Sequence, residues 1–134
     1  MKKEDLKQRS NRILNQLKNK YPGKNVFDLD GRRKHFVCEA EPTKDHPEYD
    51  RAIEVIIQSK PHKHLKMTQY YTIFSGTLEL HLGKRIVILH SKDKYTIYPG
   101  NVHWAESKDE CWVEIYSKPS WAADDHIPVN SSYK

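Results

Sequence analysis

Cysteine is scarce in this sequence: only Cys38 and Cys111 occur, 73 positions apart and in no CxxC pattern. That argues against a disulfide framework or a thiolate metal pair, and leaves two buried free thiols as the expectation. Long apolar runs are missing as well, since no segment approaches the roughly eighteen apolar residues of a spanning helix. The opening MKKEDLKQRSNR places no apolar run behind its charges, so neither a secretory signal nor a membrane anchor is read there and a cytoplasmic location is expected. Nor is there an internal repeat, a low-complexity tract, or a basic run interleaved with aromatics of the kind that binds nucleic acid. The basic surplus is modest, Lys+Arg 23 against Asp+Glu 18 for a formal charge of +5. Six of those basic residues (Lys2, Lys3, Lys7, Arg9, Arg12 and Lys18) fall in the first eighteen positions, where they solvate a helix. The balance still makes an anionic small molecule, such as a phosphate, electrostatically welcome.

What is present suits one domain, because 134 residues with 37% hydrophobic content suffice for one core and hardly for two. Residues 4–20 carry Leu6, Ile13, Leu14 and Leu17 at helical spacing, with Glu4 and Asp5 early and Lys18 and Lys20 late, as the helix dipole prefers. This predicts an amphipathic helix that stops before Tyr21-Pro22-Gly23 and packs outside the main domain or in a dimer contact. From Lys34 the texture changes to short β-branched and aromatic runs, broken by Gly, Pro, Asp and Lys about every 8 to 12 residues. Strands are predicted at 35–40, 51–58, 62–66, 69–74, 77–82, 85–90, 95–98, 102–106 and 111–116, with a loop over 41–50 around Pro42 and Pro47. Without comparable helices between them, they form an antiparallel sandwich or barrel. The tail after Pro119 crosses the barrel surface and frays at Ser131–Lys134.

The chemistry is concentrated in residues 60–76, KPHKHLKMTQYYTIFSG. In a strand, His62 and His64 project to the same side, about 6 to 7 Å apart along the chain, so two imidazoles can share one ion. Gln69 follows five residues after His64, beyond a turn at 65–68, and a third histidine, His103, opens a new strand after Pro99-Gly100. These residues resemble the two motifs of the cupin superfamily. His62, His64, Gly76, Gly100 and His103 occupy matching places, and Gln69, with six residues between it and Gly76, stands where the family has Glu. Ile56, Lys92, Tyr98 and Ser107 replace the motifs' outer Gly, Gly, Pro and Asn, which argues for altered loops on the same fold. The resemblance implies an all-β antiparallel cupin (jelly-roll) barrel over 34–119, preceded by the helix and connector (1–33) and followed by the tail (120–134). It also implies one divalent metal ion held by His62, His64, Gln69 and His103, and a homodimer paired through an outer strand.

With Gln in place of Glu, three neutral imidazoles and a neutral amide oxygen leave the ion its full positive charge. That favours Zn²⁺ and Lewis-acid work over Fe or Mn, which prefer a carboxylate, with Ni a further possibility. If Gln69 points inward so does Tyr71, read either as the proton-transfer residue or as core packing. Lys60 and Lys66 share the histidine face only if that strand is regular, and a solvated rim is the favoured reading for both. Leu78, Leu80 and Leu82 are the natural inward set on their strand, which turns Glu79 and His81 outward. Trp104 and Trp112 are expected to wall the barrel. The remaining histidines (His35, His46, His81, His90 and His126) show no partner pattern and are read as surface or packing residues.

Three functions from different classes follow. The first is a redox-neutral metalloenzyme of isomerase, epimerase or cyclase type on a small oxygenated substrate such as a sugar or sugar phosphate. It is favoured by a ligand set that resembles that of zinc-dependent polyketide cyclases and by a 113–127 stretch that looks like the ending of mannose-6-phosphate isomerase-type cupins. The others are a non-haem metal dioxygenase and a non-catalytic small-ligand-binding cupin.

Overall fold

The computed structural model describes residues 4–129. Helix α1, Leu6–Lys20, starts where Asp5 caps it: the Asp5 carboxylate accepts from the Gln8 amide at 2.7 Å, and the Gln8 side chain accepts from the Asp5 amide at 2.9 Å. This reciprocal pair satisfies two otherwise orphaned N–H groups and explains why Glu4 and Asp5 precede the helix instead of lying within it. Ile13 and Leu17 are fully buried, packed with Phe36, Cys38, Ala40, Ile53 and Val55 on the outside of the sheet. Arg12 ties the helix to the barrel through a two-pronged pair with Glu110, at 3.0 and 2.7 Å. Lys20 ends the helix with its ammonium 4.8 Å from the centre of the Trp112 ring.

Ten strands follow: β1 Asn25–Asp28, β2 His35–Glu41, β3 Asp50–Gln58, β4 His62–His64, β5 Thr68–Ser75, β6 Leu78–Leu82, β7 Arg85–Leu89, β8 Lys94–Ile97, β9 His103–Lys118 and β10 His126–Pro128. All their pairings are antiparallel, in the order β1-β2-β3-β9-β4-β10, with β5 and β8 and with β6 and β7 branching from β9. Three differences from the sequence reading matter. The runs 102–106 and 111–116 are one strand, β9, whose far half pairs with β3 and β5 while its near end pairs with β6 and β4. Sharing one strand in this way curls the sheet on itself. Two short strands were not predicted: β1, inside the connector, pairs with β2, and β10, in the tail, pairs with β4. Three or four residues with no alternation carry no period to detect. Finally, β4 stops at His64, so Leu65 and Lys66 belong to a turn. The expected fraying at Ser131–Lys134 lies outside the described residues.

The barrel interior is closed by Ile56, Ile73, Leu78, Leu80, Leu89, Ile97, Val113 and Ile115, with Cys111 among them. Cys38 and Cys111 are buried and free, and fall in two different clusters. No helix among the described residues is long and apolar enough to cross a membrane. Gly76, at φ +88°, cannot carry a side chain, because a Cβ there would sit 2.5 Å from the Glu110 carbonyl oxygen. Lys92 replaces the glycine of the second motif and yet keeps its left-handed backbone, at φ +76°. The turn survived the loss of the residue that suits it.

Candidate metal centre

His62 lies directly across the β4–β9 ladder from His103, and alternation past Lys63 returns His64 to the same face. The turn that delivers His103 is anchored from below: the Gly100 amide donates to the His64 carbonyl at 2.5 Å. Ring centroids are 4.2 Å apart for His62 and His103, 5.1 Å for His62 and His64, and 6.1 Å for His64 and His103. One nitrogen from each lies within 4.8 Å of the others. From β5, Gln69 brings its side-chain oxygen to 3.1 Å from His103 Nε2.

Second contacts orient these rings. His62 Nδ1 is 2.9 Å from the Lys60 carbonyl and His103 Nδ1 is 3.0 Å from the Asn101 carbonyl. A carbonyl only accepts, so both Nδ1 atoms carry the proton, and each neutral ring turns an Nε2 lone pair to the shared space. Burial, opposed by the Asn101 bond, brings His103 down to about 4. Burial and the neighbouring His103 push His62 well below the ordinary range, and burial with His126 lowers His64. The rings are therefore neutral at pH 7. His103 Nε2 and the Gln69 oxygen then face each other as two acceptors with no proton between them, and the buried His64 Nδ1 has no hydrogen-bond partner. A cation fits this donor set.

The tail adds groups that the sequence reading assigned elsewhere. His126, expected at the surface or in packing, pairs across β10–β4 with His64 and stacks on His62, centroids 4.6 Å apart and planes 21° from parallel. Its neighbour Asp125 is buried and accepts the amides of Leu65, Lys66 and Met67 at 2.9, 2.9 and 3.1 Å. Burial alone would raise this carboxyl, but those three amides and His64 hold it low, as a carboxylate 3.8 Å from His64 Nδ1. His35 is also buried, with Nε2 2.5 Å from a Glu54 oxygen. The registers Glu54↔Val113 and His35↔Ile56 put both on the inner wall, and the Glu54 charge is felt at His64 and at Tyr71. His35 too was expected only at the surface or in packing; strand parity with Val37 and Ile56 is the signal that could have turned it and Glu54 inward, and for His126 there is none.

Tyr71 does point inward beside Gln69, where it packs in the barrel core at 5% exposure. Burial, then the Glu54 charge, push its phenol well above the ordinary value. Lys60 and Lys66 are exposed and lie outside the short strand that carries the histidines. Glu79 and His81 face outward, opposite Leu78 and Leu80, with the His81 ring stacked on Trp104 at 3.8 Å. Trp112 likewise faces outward, toward the helix, opposite Val55. His90 is exposed, and His46 stacks on Tyr49 outside the cavity.

No family model and no curated protein matches this chain. Solved structures do. A Klebsiella pneumoniae protein with a double-stranded β-helix domain is 17% identical, with a TM-score of 0.65 over 84% of this chain and 94% of that one. The chain has the cupin fold. Other solved cupins extend the likeness. Streptomyces Pac13, described as a nucleoside dehydratase and solved with uridine, is 14% identical with a TM-score of 0.69, over 82% of this chain and 88% of that one. Ectoine synthase from P. lautus is 10% identical with a TM-score of 0.64, over 84% and 86%. Enzymes are thus among the proteins that this chain resembles in fold.

Proposed function

We propose that this cupin is a redox-neutral metal-dependent enzyme, of isomerase, epimerase or cyclase type, acting on a small oxygenated molecule such as a sugar or sugar phosphate. The observation that carries the reading is the donor set: His62, His64, His103 and Gln69 converge as four neutral donors with no carboxylate among them. Bound there, a divalent ion, Zn²⁺ by preference over Fe, Mn or Ni, would supply Lewis-acid polarisation of a hydroxyl or carbonyl oxygen. The chain's own groups do the rest. Glu54, steadied by His35, is the carboxylate on the facing wall that takes a proton from the substrate and returns it. Tyr71 is the proton-transfer residue: its phenol stays protonated at neutral pH, hydrogen-bonds to a substrate oxygen, and lends that oxygen its proton and takes it back as the oxygen's charge rises and falls. The uridine in Pac13 favours a sugar-bearing ligand, and the +5 balance welcomes an anionic one. A homodimer in the cytoplasm is part of the same proposal.

Elemental analysis of untagged protein tests the reading. His64→Ala is expected to hold one equivalent of zinc fewer than the unaltered protein, with an unchanged circular dichroism spectrum. Retention of that metal by His64→Ala would overturn it. Iron-loaded protein that consumes oxygen with a catechol or thiol would transfer the assignment to a dioxygenase.

A further inference from the structure

On the outer face of the same wall we propose a second divalent-metal site, built by Glu79, His81 and Glu106. β6 and β9 carry it. Leu82 and His103 pair across this ladder facing inward, so the next pair, His81 and Trp104, faces outward, and Glu79 and Glu106 two residues further on do the same. The two carboxylates are direct cross-strand partners, an arrangement of like charges that costs free energy unless a cation lies between them. Among the described residues neither has an Arg or Lys partner, although the chain as a whole is basic.

His81 supplies the independent observation. Its Nε2 is buried without a hydrogen-bond partner, and lies 3.4 Å from a Glu106 oxygen. One ligand atom from each of the three side chains lies within 4.8 Å of the others. The ring is held rigid by its stack on Trp104, at 3.8 Å and 10° from parallel, so little side-chain freedom is left to lose on binding. Two carboxylates and one imidazole on one face leave coordination positions open to water. The imidazole selects a first-row transition ion such as Zn²⁺ over Ca²⁺ or Mg²⁺, which take oxygen ligands.

This site is independent of the inner centre, and stoichiometry separates the two. The full chain, stripped of metal, is dialysed against excess Zn²⁺ and assayed by elemental analysis as wild type, His81→Ala, Glu106→Gln, His64→Ala and the His64→Ala/His81→Ala double variant. Two equivalents are expected in the wild type, one in each single variant and none in the double. Glu106→Gln is nearly isosteric and keeps the test valid if His81→Ala misfolds. Tryptophan fluorescence gives a second readout: Cu²⁺ added to His64→Ala should quench emission through Trp104, and the quench should vanish in the double variant. A second equivalent that persists in both His81→Ala and Glu106→Gln overturns the outer site, as does a wild type that binds a single equivalent lost in His64→Ala. Loss of metal by His81→Ala with full retention by His64→Ala would instead remove the inner centre and leave the outer one standing.

Discussion

The imidazole of His126 lies against that of His62, although the two are 64 positions apart in the chain. The contact exists because β10 adds to β4 with His126 opposite His64 and Pro128 opposite His62. The C-terminal segment therefore forms part of the rim of the candidate metal centre, and Asp125, immediately before it, pins the turn that follows His64. Structure and site are coupled at this one junction.

Replacing Asp125 with Ala should report that coupling. Three amides lose their acceptor, one of them fully buried at Met67, and an unsatisfied buried donor costs about 1–3 kcal/mol. A loss of roughly 2–4 kcal/mol in urea unfolding is expected, with zinc affinity weakened about 10- to 100-fold through His64. Unchanged affinity in a folded variant would separate the carboxylate from the centre.

Gln69→Glu should change which ion is held. A carboxylate beside His103 adds the negative charge that hard ions prefer. Competition titration with Mn²⁺ should show a gain of about tenfold, or roughly 1.4 kcal/mol. No gain would show that the side chain at 69 does not reach the ion.

Two backbone positions should respond in opposite directions. Lys92→Gly relieves a left-handed residue at φ +76°, worth about 1 kcal/mol after the entropy of the added glycine is deducted. Gly76→Ala meets both a positive φ and the Glu110 oxygen, and should cost roughly 2–4 kcal/mol. Thermal unfolding of the two variants should move the midpoint up and down respectively.

Acidification should destabilise the metal-free protein. His103 stays neutral in the folded state until about pH 4, whereas an unfolded histidine protonates near 6.5. Between those values the unfolded chain binds more protons, so by linkage stability falls as pH falls through the window and is flat above about pH 7. His62 and His64 act in the same direction. Chemical denaturation at pH 7.5 and pH 5 would measure the drop; equal stability at the two would contradict burial of neutral rings.

Much of the barrel was legible in the chain because period-two alternation is local. The alternation of Gln69, Tyr71 and Ile73 with exposed Tyr70 survives intact in β5, and the helix capped by Asp5 follows from residues a turn apart. The His-x-His pair and its spacing to Gly76 and His103 also needed no coordinates. Sequence could not see that one long strand, β9, does the work of two, since the polar stretch in its middle, Ser107 to Glu110, reads as a turn.

By itself, then, the sequence determined which residues alternate, where the helix begins and that three imidazoles fall at ligand spacing, all properties of near neighbours. Tertiary structure alone decided that His126 and Asp125 join them, that Glu54 and His35 pair on the facing wall, and that Glu79 opposes Glu106. Those contacts depend on strand register between segments far apart in the chain, and register is set by the packing of the whole sheet, which no local pattern contains.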